Sequence, residues 1–147
     1  RKEIIMQGDR ENQFSGAQAL TASAASTDVV KVGANIGIGE PMCVVITVDV
    51  AAKSSDNDET YKAKLQFDDA AAFGSATDIG EEVTITRGAA IGTRKIIPIP
   101  PLVNADTYMR VYYTLGGTSP TVSVTARLMP QSAIQNDAVF PAGNTIS

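Results

Sequence analysis

The feature that most limits what this chain can fold into is a repeated two-residue alternation of apolar and polar side chains. Thr60–Asp68 is its cleanest instance. Tyr61, Ala63, Leu65 and Phe67 fall on one side, and Lys62, Lys64, Gln66 and Asp68 on the other. A period of two marks a strand with one dry face and one wet face. Segments 28–32, 42–50, 60–68, 83–87, 94–99, 106–115 and 121–128 read as strands on this basis. In 106–115, Met109, Val111, Tyr113 and Leu115 share a face; in 121–128, Val122, Val124, Ala126 and Leu128 do. Met42–Val50 is apolar on both sides, which makes it a central strand. Gly33–Pro41, Pro100-Pro101 and Gly116–Pro120 interrupt the pattern as loops and turns.

One-faced alternation belongs to antiparallel sheets packed face to face, not to a parallel sheet covered on both sides. The expected fold is therefore all-β: an antiparallel β-sandwich, either an eight-stranded jelly roll with a weak strand near Leu20 or Ile79, or a seven-stranded sandwich. With 147 residues, one domain suffices. Its expected limits are 28–129. An extended N-terminal arm (1–27) precedes it, since the Ser and Thr of Ala17–Thr27 oppose a helix. A C-terminal arm (130–147) without periodicity follows it. Lys53–Glu59 reads as a polar turn, and 69–82 as a loop with one helical turn at 69–73.

The composition removes most reactive chemistry. There is no histidine, no tryptophan and a single cysteine, Cys43, set in the apolar run Met42–Ile46. A cysteine there is expected to be a small buried hydrophobe, with no histidine to activate it. Adjacent carboxylates at Asp68-Asp69 and Glu81-Glu82 point to opposite faces of a strand, so neither forms a catalytic pair. Gly33–Glu40 lacks the helix and third glycine of a dinucleotide loop. Asp56–Glu59 resembles the start of a calcium loop, but Tyr61 and Phe67 stand where an EF-hand requires glycine and glutamate. That run reads as a solvated hairpin tip. The expectation is a protein that is not an enzyme and carries no catalytic residue, metal or cofactor.

The net charge is −4, with no basic stripe, which argues against direct nucleic-acid binding. No apolar run is long enough to span a membrane, and the charged start Arg1–Met6 does not read as a signal peptide. Made in the cytoplasm, such a product would work through its surface. Tyr108 and Tyr112 flank Arg110 on the outward face of their strand, a combination common at interface hot spots. Ile4, Ile5 and Met6 in the first arm, together with Leu20, are further contact candidates. So are Ile134, Val139, Phe140 and Ile146 in the tail. The tail is either a solvated end or an arm that docks on a neighbour, and its apolar anchors favour the arm.

Ala17–Thr27 precedes a short valine strand; Ile36–Pro41 and Val44–Val50 follow. Ile97–Pro101, Tyr108–Thr114, Gly116-Gly117 and the last strand complete the order. From Phe14 to Leu128 this succession resembles the jelly-roll cement (decoration) proteins on the heads of short-tailed double-stranded-DNA phages, of the Bordetella-phage type. The resemblance implies a homotrimer on the outer surface of the capsid, part of the virion, that bridges neighbouring major capsid proteins against the pressure of packaged DNA. It supplies no catalytic residues. The stretch after Leu128 departs from the family pattern. The competing reading is a jelly-roll module of a tail, fibre or surface protein that binds carbohydrate.

Overall fold

The computed structural model describes residues 13–32, 42–100 and 107–131. Among these residues, nine strands form two antiparallel sheets: β1 (Gln13–Leu20), β2 (Ala24–Ala25), β3 (Val30–Val32), β4 (Met42–Val50), β5 (Thr60–Asp68), β6 (Thr77–Ile85), β7 (Arg94–Ile99), β8 (Thr107–Gly116) and β9 (Val122–Pro130). One sheet has the order β1-β9-β4-β7. The other runs β2-β8-β5-β6, with β3 also on β8. If β2 and β3 count as one interrupted strand, this is the eight-strand jelly roll.

Ser26 marks the interruption. Its backbone N–H donates to Val111 O (2.7 Å), while its hydroxyl accepts the Val111 N–H (3.1 Å) and donates to Asp28 O (2.8 Å). A side chain thus replaces the missing rung of the ladder, so no buried backbone group of Val111 goes unpaired.

The alternation in sequence becomes the core. Tyr61, Ala63 and Leu65 of β5, Met109, Val111 and Tyr113 of β8, and Val122, Val124, Ala126 and Leu128 of β9 meet Val44, Ile46 and Val48 of β4 between the sheets. Each large aliphatic residue buried there contributes about 1.5–3 kcal/mol. The two buried tyrosines need polar partners. Ser15 gives its proton to Gln18 Oε1 (2.6 Å), so the 2.8 Å contact between Ser15 and Tyr113 is donated by the phenol. That bond joins the two sheets through the core, and burial pushes the Tyr113 phenol far above its usual pKa. Tyr61 donates to Lys53 O (2.8 Å) and accepts from Thr121 N (3.2 Å).

Several expectations change. Part of the supposed N-terminal arm is sandwich: β1 pairs with β9, and Leu20, opposite Val122, is 3% exposed in the core. Leu20 is therefore a packing residue and is withdrawn as a surface contact. β1 escapes sequence detection because two register shifts break its alternation. Ala17 sits there at φ +49°, with its N–H on Thr125 Oγ1. Likewise, β6 begins at Thr77 inside the expected 69–82 loop. A register shift opposite Ala63–Leu65, with Gly80 at φ +72°, hides its period.

Two carboxylates expected in solvent are buried. Asp68 turns in to accept the N–H groups of Asp69 (2.7 Å), Ala70 (3.4 Å) and Ser75 (2.7 Å). Glu59, at the supposed hairpin tip, is 2% exposed.

Candidate functional site

The outward faces of β8, β5 and β6 carry one connected set of side chains. Antiparallel register sets Lys64 opposite Tyr112 and Gln66 opposite Arg110, with Asp78 on the far side of Gln66. Directly opposed residues on one face of a sheet are close enough to bond. Arg110 Nε donates to Gln66 Oε1 (2.9 Å), and Gln66 Nε2 donates to Asp78 Oδ1 (3.0 Å). Lys64 Nζ meets Asp78 Oδ2 at 3.0 Å and lies 6.0 Å from the ring centre of Tyr112. Arg110 closes the circuit at 5.7 Å from that same ring. Farther along β8, Lys31 of β3 lies 5.8 Å from the centre of the Tyr108 ring. The bonds from Gln66 and Lys64 hold the Asp78 carboxyl below the usual aspartate pKa.

Phe73 completes the face from the β5–β6 connection. The Arg110 guanidinium stacks 4.4 Å from its ring centre, and Phe73 is 7% exposed. Its φ of +54° is uncommon for a bulky residue and costs on the order of 1 kcal/mol. The Asp68 carboxylate holds the turn that imposes this angle, with the Ser75 N–H the main cause of its lowered pKa. A buried acid thus positions an aromatic ring, which positions a cation.

This face has its own charge. Lys31, Lys62, Lys64 and Arg110 stand against Asp78 and the exposed Glu82, which shares the outward phase of Thr84 on β6, within a chain of net charge −4. Of the contact candidates read from sequence, Tyr108, Arg110 and Tyr112 are together here, each half-buried. Ile4, Ile5, Met6, Ile134, Val139, Phe140 and Ile146 lie outside the described residues, as do 1–12 of the first arm and 132–147 of the tail. Sequence reasoning missed Lys31, Lys64, Gln66, Phe73 and Asp78 as members of the face. The outward phase of Lys64 and Gln66 was legible, but the register bringing them to β8 was not.

Elsewhere, Cys43 is buried on the outer side of β4 with Val45 and Met129 against it, and burial pushes its thiol pKa up. A cleft of about 280 Å³ lies where β6 meets β7, lined by Gly80, Glu81, Pro98, Ile99 and Pro100. Among the described residues of that lining, Glu81 is the one titratable group. Among the described residues, no helix is long and apolar enough to cross a membrane.

The model of the Bbp16 family matches residues 14–128, most of the chain, and reaches into every described strand of both sheets. The chain belongs to the Bbp16 family. That name points to a Bordetella-phage protein, so this Bbp16-family chain is phage-related. No curated protein matches it.

Proposed function

We propose that this Bbp16-family protein is a structural component of the virion, not an enzyme. It binds the outside of the capsid as a homotrimer and cements neighbouring major capsid proteins against internal DNA pressure. The observation that carries the reading is the closed circuit Arg110–Gln66–Asp78–Lys64–Tyr112. Its side chains are fixed before any partner arrives, so little rotamer freedom remains to be lost on docking. Arginine and tyrosine are the residues most often dominant at interfaces. The excess of cations on this face fits an acidic patch on the capsid protein. Three copies of a modest footprint would act together, raising avidity by about 10²–10⁴.

The carbohydrate-binding alternative requires open aromatic faces on which sugars stack. Here Lys31 lies over Tyr108, and both Lys64 and Arg110 lie over Tyr112, which favours the capsid reading.

Light scattering of the purified protein should give three times the chain mass. Co-sedimentation with expanded empty capsids should saturate, and Arg110→Ala should weaken it about tenfold or more while the protein stays folded. A monomer that ignores capsids would overturn the reading. So would wild-type affinity in the Arg110→Ala variant, or competition for the face by duplex DNA.

A further inference from the structure

The β4–β5 connection holds a second organised cluster, away from the β8 face. The carboxylates of Asp56, Asp58 and Glu59 each place an oxygen within 4.8 Å of the others. Anions this close repel one another unless a cation lies among them. Lys53 supplies one positive charge: its Nζ is 2.6 Å from Asp56 Oδ2 and 3.7 Å from Glu59 Oε2. The same ammonium donates to the carbonyl oxygens of Thr118 and Ser119, at 3.2 Å each. It therefore sits among two carboxylate and two carbonyl oxygens, the donor set that hard cations prefer. Three carboxylates face this one ammonium, and the other cation on the turn, Arg87, is engaged through Nη1 with the carbonyl oxygen of Asn57 (2.6 Å).

A separate observation concerns Glu59. Its side chain is fully buried, and Oε1 has no hydrogen-bond partner, although Oε2 accepts the Asp56 N–H at 3.0 Å. A buried carboxylate oxygen without a donor or a metal is costly, and native structures contain few. The surroundings are held firmly. Asp58 accepts the Thr118 N–H (3.0 Å) and hydroxyl (2.8 Å), and Gly117, at φ +92°, lets the β8–β9 turn pass so close that a Cβ there would collide with Asp58 O.

We propose that this cage binds one hard divalent cation of the calcium class. Glu59, Asp56 and Asp58 and the Thr118 and Ser119 carbonyls supply the oxygens, and the Lys53 ammonium is the competitor that the ion displaces. The ligands come from two facing turns, so the site is absent from any linear calcium-loop pattern. Mixed carboxylate and carbonyl oxygens in irregular array suit calcium better than magnesium, which demands octahedral geometry and retains its water.

Calorimetric titration of calcium into the full chain at physiological salt should show one ion per chain, with Kd of about 10⁻⁴–10⁻³ M, the range of weak loop sites. At tenfold excess over Kd, Tm should rise by about 3–6 °C relative to EDTA. Lys53→Met, which removes the competitor, should tighten binding about tenfold or more. Glu59→Gln should abolish both signals, and the exposed Asp56→Asn variant gives the same reading should Glu59→Gln fail to fold. No heat and no Tm shift in either the wild type or Lys53→Met overturns the proposal. So does an equal response to magnesium, or calcium binding unchanged by the carboxylate variants.

Discussion

The two sheets treat their outer faces differently. On the β1-β9-β4-β7 sheet, β4 turns Cys43 and Val45 outward, yet both are buried, with Met129 packed against them. On the other sheet, the equally central β8 turns Tyr108, Arg110 and Tyr112 outward, half-buried and tied into a circuit of charges and rings. Central position in a sheet thus does not decide what the outer face carries. On β4 the outward Cys43 and Val45 are covered within the chain, while Ile96, opposite Val45 on the edge strand β7, is 41% exposed. Where the outer face carries charges, they are organised and accessible, which is the condition expected of a surface that meets a partner.

The sharpest way to break this contrast is to place one carboxylate on each outer face. Val45→Asp should cost about 3–5 kcal/mol in urea unfolding, because the new charge has no partner where it is buried. Thr114→Asp, outward on β8 and opposite Lys62, should stay within about 1 kcal/mol. Equal costs would erase the distinction.

A milder test uses the thiol that the first face covers. Cys43 in the native protein should alkylate on the order of a hundredfold more slowly than in denaturant, since burial both shields it and raises its pKa. Prompt native labelling would mean that this face opens.

The smallest effect concerns Asp78. Its folded pKa is depressed, so its stabilising contribution is present above the unfolded value and is lost as pH falls through the folded one. The Gln66 side-chain amide, followed by NMR, should therefore shift with a midpoint below that of an ordinary aspartate. A midpoint at or above that of an exposed aspartate would detach Asp78 from the circuit.

These contrasts also show what was legible in the sequence. Alternation identified β5, β8 and β9 and their inward residues except Phe67, which is half-buried outside the core, and the doubly apolar Met42–Val50 was rightly central. Alternation failed where backbone irregularity inserts residues: at Ala17 in β1 and at Gly80 in β6. It also failed for Asp68 and Glu59, whose polarity implied solvent although backbone N–H groups draw both carboxylates inward. The Tyr108–Arg110–Tyr112 stripe was visible because its members lie two residues apart. The Gln66, Asp78 and Phe73 that fix Arg110 come from other elements, brought in by register and by a turn with an unusual backbone angle. No local pattern encodes that proximity.

The order β1-β9-β4-β7 also bears on how the molecule is made. β9, the last described strand to leave the ribosome, is inserted between β1 and β4, with Gln13 opposite Arg127. Every rung of that sheet except those between β4 and β7 waits for it. Contacts so distant along the chain slow folding. Until β9 arrives, β1 has no neighbour and β4 keeps an open edge. The nascent protein therefore passes through a stage with unpaired strand edges, and in a crowded cell the neighbouring chains best matched to those edges are unfinished copies of itself.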